Sequence, residues 1–185
     1  MSWNKHIDNI AKKANSTRAF LQRNIKSCPS KTKALCYQTL VRPLMEYSST
    51  IWDPSTKDNI NKLEAIQRRC ARFVLNDYRR TSSVTSMLQA LNWKTLQERR
   101  AQCKVIMFYR VVHELIAVPT TNLQPVISTV RGHNERFLVP YARTQVYRHS
   151  FFPDTIRIWN GLPQHIVSCT TLESFKRGVQ VVQLR

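Results

Sequence analysis

Three glycines in 185 residues is very few, and that scarcity removes a class of functions at once. Phosphate-cradling loops need glycines at fixed offsets so that backbone N–H groups can approach the anion. The isolated Gly132, Gly161 and Gly178 make no such pattern, which excludes a P-loop or a dinucleotide site. Acidic residues are also scarce: there are 11 Asp and Glu, and no two are adjacent. Nucleotide polymerisation relies on paired carboxylates holding two divalent metals about 4 Å apart, and no such pair is present. Asp53 and Asp58 lie close in sequence, but one reads as a helix stop before Pro54 and the other as a first-turn charge favoured by the helix dipole. The five cysteines, at 28, 36, 70, 103 and 169, are odd in number and contain no CxxC, so reduced core residues are expected instead of a disulfide framework. His165 and Cys169 lack a second ligand pair, and His133 and His149 stand alone, so no zinc site is expected. Nothing sets a base beside a Ser or Cys nucleophile. The expectation is of no catalytic residue, no metal and no cofactor. No apolar run approaches membrane-spanning length and no h-region follows MSWNKHIDNI, so cytoplasm or nucleus is the expected compartment.

Positive charge is what the chain has in excess. It carries 29 Lys and Arg, a net +18, far beyond what solubility needs. A polyanionic partner is implied, with nucleic acid first. An anionic membrane surface is less favoured, because the amphipathic helices are needed for the core. The excess is concentrated mid-chain, where Arg68 to Arg110 holds ten basic residues against Asp77 and Glu98. With 42% hydrophobic residues and no low-complexity tract, the length suits one compact domain, or one with a small appendage.

The stretch INKLEAIQRRCARFVLNDYRR, Ile60 to Arg80, combines an apolar stripe with the densest basic cluster. At helical spacing Ile60, Leu63, Ile66, Cys70, Phe73 and Val74 share one face; Arg68, Arg69 and Arg72 lie roughly 150° away, with Arg79 and Arg80 just past the helix end. One side is suited to a core, the other to solvent or an anion. Before it, Trp3 to Ile25 keeps Ile7, Ile10, Ala14, Thr17, Leu21 and Ile25 on a stripe with Lys5, Lys12 and Arg23 opposite, a helix whose narrow stripe suits a neighbouring helix better than a dimer seam. Ser30 is a candidate N-cap, Pro43 should kink or restart the second helix, and Asp53-Pro54 should end the following segment. Ser82 or Ser83 caps a short helix, and Thr95 starts another in which Val105 to Val112 is apolar almost all round. Beyond Pro119 the pattern changes: Phe137 to Tyr141 and Arg143 to Tyr147 are candidate extended pieces. Pro153 suits a first helical turn, Asn160-Gly161 a left-handed stop, and Thr170 with Glu173 a capping box; the tail past Gly178 should fray. The tryptophans read as core anchors, whereas Tyr78, in a basic loop, is the better base-stacking candidate. The expected fold is mainly α, a helical bundle over 1–118 with a less regular part over 119–185.

The run EAIQRRCARFVLNDYRRTSSVTSMLQALNWKTLQERR resembles the region that follows the polymerase core in reverse transcriptases of non-LTR, LINE-type retrotransposons of the jockey and chicken-repeat kind. WNKHI near the start, YQTLVRPLMEYSSTIWDP in the middle and SFFPDTIRIWNGLP near the end are similar to the same region, in order. In that family WNKHI follows a long polymerase; here it follows Met1 and Ser2. The resemblance implies a thumb-like helical module with a C-terminal extension that helps hold template and primer. The polymerase Asp pair and the endonuclease of such elements are absent from this chain, so neither activity is transferred to it.

The resulting expectation is a non-catalytic module that grips RNA, DNA or an RNA–DNA hybrid by its backbone. Arg68, Arg69, Arg72, Tyr78, Arg79, Arg80, Arg99, Arg100 and Lys104 are the candidate contacts. The upstream polymerase region of a parent protein is a further candidate partner. The alternative is an element relic, serving as a protein-interaction scaffold or without a role. The preferred nucleic acid and the oligomeric state are open at this level.

Overall fold

The computed structural model describes residues 3–120, 123–126, 132–182 and 184. Among them the chain is mainly helical and contains no strand. It forms two compact units, Met1–Arg99 and Arg100–Arg185.

In the first unit, α1 (Asn4–Asn24) buries Ile7, Ala14 and Leu21, seven residues apart. This stripe packs within the chain, against α5 (Lys57–Leu75) and its neighbours. Between them α2 (Ser30–Cys36) runs into a π turn, Tyr37–Val41, and then α3 (Arg42–Glu46). Pro43 has no N–H for the preceding turn, and the helix widens just before it, with the Arg42 N–H bonding the Tyr37 carbonyl. The proline therefore restarts the helix without ending it. α4 (Ser49–Trp52) stops where Asp53, before Pro54, takes an extended ψ of 122°. α5 buries Leu63, Ile66, Cys70, Phe73 and Val74 as its stripe requires, together with Gln67. Gln67 is tolerated because its amide donates to the Lys94 carbonyl at 2.9 Å. Asn76, at φ 53°, closes the helix in the left-handed conformation. α6 (Val84–Ala90) is capped by the Ser83 hydroxyl, and Trp93 beyond it stacks on Tyr37 with ring centroids 4.2 Å apart.

α7 (Leu96–Val112) begins at Thr95, whose hydroxyl accepts the Glu98 N–H at 3.1 Å. The division between units falls inside this helix: Leu96 enters the first core, whereas Val105, Phe108 and Tyr109 enter the second. Composition changes at Pro119, where the sequence placed its boundary, but composition does not record which core a helical side chain joins. α8 (Gln145–Arg148), α9 (Phe151–Asn160), α10 (Gln164–Val167) and α11 (Leu172–Val181) follow. Ile156, Trp159, Ile166, Phe175 and Val179 fill the second core.

Several local expectations change here. Phe137 forms only an isolated antiparallel bridge with Pro125. The Asn160 amide stands in for a neighbouring strand, accepting the Phe137 N–H at 3.0 Å and donating to its carbonyl at 2.8 Å. Arg143 to Tyr147 is not extended, because the Thr144 hydroxyl accepts the Tyr147 N–H and starts α8. Gly161 is right-handed, φ −89°, so Asn160 acts through its side chain and no left-handed stop forms. The last cap is Thr171 with Ser174, one residue later than Thr170 with Glu173. α11 continues through Gly178, where an added Cβ would lie 3.3 Å from Ile166, and buries Val179. The helix is held there by packing, and of the tail only Gln183 and Arg185 lie outside the described residues.

Candidate nucleic-acid interface

Side-chain contacts from α5 and the loop after it fix how α1 lies against them. Asn59 donates to Asn4 at 2.8 Å, Lys62 pairs with Asp8 at 2.8 Å, Arg69 donates to Asn15 at 3.2 Å, and the Gln22 amide nitrogen lies 3.5 Å from the Tyr78 hydroxyl. The partners advance together along both helices, 54 to 56 residues apart, so the two run parallel. On α1, Lys5, Lys12 and Arg23 lie next to the row of Asp8, Asn15 and Gln22, turned outward by roughly one residue's breadth on the helical wheel. All three are exposed, as are Lys62, Arg68 and Arg69. The seam therefore displays basic side chains from both helices along about 30 Å, the length of a 21-residue helix.

At the C-terminal end of the seam a tightly tied loop follows α5. The Arg72 guanidinium donates to the carbonyls of Asp77 at 3.4 Å, Arg79 at 2.9 Å and Ser82 at 3.4 Å. The Asp77 carboxylate accepts from the Arg79 side chain, the Ser82 hydroxyl and the Arg79 backbone N–H. Those hydrogen bonds, led by the Arg79 guanidinium, hold the Asp77 carboxyl well below the usual carboxylate range. The loop so formed presents Tyr78, 54% exposed, and Arg80 to solvent.

The expected contact residues thus separate. Arg69, Tyr78 and Arg80 share the exposed seam and its loop, and Arg79 joins them although it is paired with Asp77 at 3.0 Å; Arg68 is exposed as well, but on the other flank of α5, one turn after Glu64, which accepts the Gln97 N–H. Arg72 is half-buried and shapes the loop. Arg99 grips both oxygens of Glu46 on α3 and is committed to the first unit's packing. Arg100 and Lys104, expected to meet phosphates, are buried instead, 0% and 3% exposed, and present no charge to a ligand on the surface. Helical spacing puts them on the stripe of Leu96, Phe108 and Val111, and the Lys104 ammonium finds Asp154 at 2.7 Å inside. Conversely, Lys5, Lys12 and Arg23 join the surface although no residue of α1 was a candidate. The signal available in the sequence was the matching seven-residue step, Lys5 to Lys12 on one helix and Lys62 to Arg69 on the other.

Trp52, Trp93 and Trp159 are buried and Trp3 packs partly buried against the first core, as anchors should be. Among the described residues no group of three or more His, Cys, Asp or Glu is placed to hold a metal ion, and no helix is long and apolar enough to cross a membrane. Compared with family models, curated proteins and solved structures, the chain finds no match.

Proposed function

We propose that this chain is a non-catalytic nucleic-acid-binding module that grips RNA, DNA or their hybrid by the phosphate backbone along the α1/α5 seam. Its resemblance to the post-polymerase region of LINE-type reverse transcriptases makes a template and primer the natural ligand. The reading rests chiefly on one observation: Lys5, Lys12 and Arg23 lie alongside Lys62 and Arg69 on one exposed ridge, although they are far apart in the sequence. Such a ridge spans roughly nine base pairs of duplex and offers charge without a rigid base-reading element, which suits positioning over sequence recognition.

The test is equilibrium binding to an RNA–DNA hybrid, duplex DNA and single-stranded RNA across a salt series. Replacing Lys5, Lys12 and Arg69 together by Gln is expected to lower the slope of log K against log salt by about 2 to 3, close to one per lost phosphate contact. An unchanged slope would remove the seam from the interface. A second reading, a protein-interaction scaffold, has its own support in Leu35, Leu40, Tyr47 and Ile51, large apolar side chains that are all more than half exposed. Folded protein that binds no nucleic acid at low salt would favour it.

A further inference from the structure

The second unit holds a cavity of about 570 Å³ lined by Pro119, Leu123, Gln124, Leu138, Tyr141, Tyr147 and others, ending on Phe152. Its size is that of a small-ligand site. The Leu138 N–H bonds the Gln124 carbonyl at 2.8 Å and the Val126 N–H bonds the Arg136 carbonyl at 2.9 Å, joining two sides. Thr144 caps the short helix that carries Tyr147, and Phe152 sits in the first turn of α9 against Phe151.

What lines this cavity and what flanks it differ in kind. Most of its lining side chains are aromatic or apolar, yet polar atoms make up nearly half of the lining, and the Gln124 amide and the Tyr141 and Tyr147 hydroxyls can donate and accept there. Tyr141 is 89% exposed and Tyr147 46% exposed, so two flat rings stand at the mouth with no core to fill. Arg143 follows Tyr141 by two residues and Arg148 follows Tyr147 by one; both are exposed, and between Gly132 and Pro153 the only acidic residue is Glu135. A pocket that combines aromatic rings with polar edges, in a cationic setting, matches one ligand better than others: a nucleobase on a charged backbone. A proline-rich peptide also suits an aromatic groove, yet it gains nothing from flanking arginines.

We propose that this pocket takes an unpaired base of a single-stranded segment, with Tyr141 and Tyr147 stacking on it, Gln124 meeting its polar edge, and Arg143 and Arg148 holding the neighbouring phosphates. The inference rests on the nucleic-acid reading and deepens it: the seam holds backbone of any kind, and the pocket adds a preference for strands with free bases.

The experiment compares the full chain on a single-stranded ten-nucleotide RNA carrying one 5-iodouridine and on a fully paired duplex of the same sequence. Tyr141→Ala and Tyr147→Ala should each weaken single-strand binding about 5- to 150-fold, the worth of one stacked base. Duplex affinity and the salt slope should stay as in the parent, and Tyr141→Phe, which keeps the ring, should bind as the parent does. Photo-crosslinking should label Tyr141 or Tyr147. Both side chains are exposed, so an unchanged melting temperature verifies each variant. Equal losses on duplex and single strand, no loss on either, crosslinks confined to Tyr78, or a bound proline-rich peptide that nucleic acid does not displace would each overturn the pocket. Salt-dependent duplex binding that survives while the tyrosine variants change nothing leaves the seam standing and removes only the pocket. Absence of all nucleic-acid binding removes both.

Discussion

Asp77 shows how one carboxylate decides what neighbouring arginines do. Its folded-state carboxyl sits below the ordinary value because Arg79 and Ser82 donate to the charged form. The stabilisation it provides is therefore present above the unfolded value of about 4 and is lost as pH falls below that toward the lowered folded value. Hydrogen exchange at the Arg79 and Ser82 amides should remain slow at pH 4 and quicken only in stronger acid, whereas Asp77→Asn should quicken it at every pH. Cys70 gives the opposite sign. Burial pushes its thiol up to about 12, so its contribution is complete below the unfolded value of about 8.5 and is lost as pH rises through 12. At pH 8, alkylation followed by mass spectrometry should modify half-buried Cys28 well before Cys70.

Helices were the legible part of this chain, and α1 and α5 show why. Their apolar residues recur at the helical period, so Ile7, Ala14 and Leu21, or Leu63, Ile66 and Cys70, identify a buried face without reference to anything distant. Where α7 departs from that logic, the cause lies far along the chain. Lys104 can be inside because Asp154 reaches it from α9, and no local pattern announces a partner 50 residues away. Asp154→Asn should cost about 3 kcal/mol in denaturant unfolding by leaving the ammonium buried without its counter-charge, and adding Lys104→Met should recover much of that loss. The turn from His133 to Phe137, before α8, was illegible for the same reason. His133 bonds the Trp159 carbonyl at 2.9 Å, the Trp159 indole donates to the Glu135 carbonyl at 2.7 Å, and Asn160 completes the staple on Phe137. Read alone, those residues are an isolated histidine, a core tryptophan and a turn asparagine. The candidate interface divides along the same line: Arg69 and Arg80 were readable from α5 and its exit, but the share of α1 depends on a pairing that no motif encodes.

Across the whole molecule, both units are basic: Met1–Arg99 carries 18 Lys and Arg against 7 Asp and Glu, and Arg100–Arg185 carries 11 against 4. Each also has its own core. Phe175→Ala should therefore remove about 3 to 5 kcal/mol from the second unit, lowering amide protection across residues 100–182 while protection of Leu63, Ile66 and Val74 is largely kept. Equal loss in both sets of amides would mean that the units unfold together. The parallel course of α1 and α5 has a consequence in time as well as in space. Antiparallel helices joined by a short turn can meet as soon as the second is made, but parallel ones need a long crossover, here everything from Ile25 to Thr56. Every contact along the seam closes a loop of more than 50 residues, so the seam is assembled late and slowly compared with a local hairpin. During synthesis α1 emerges first, and even once the π turn and α3 have packed on it, the part of its surface that meets α5 stays uncovered until α5 has been made.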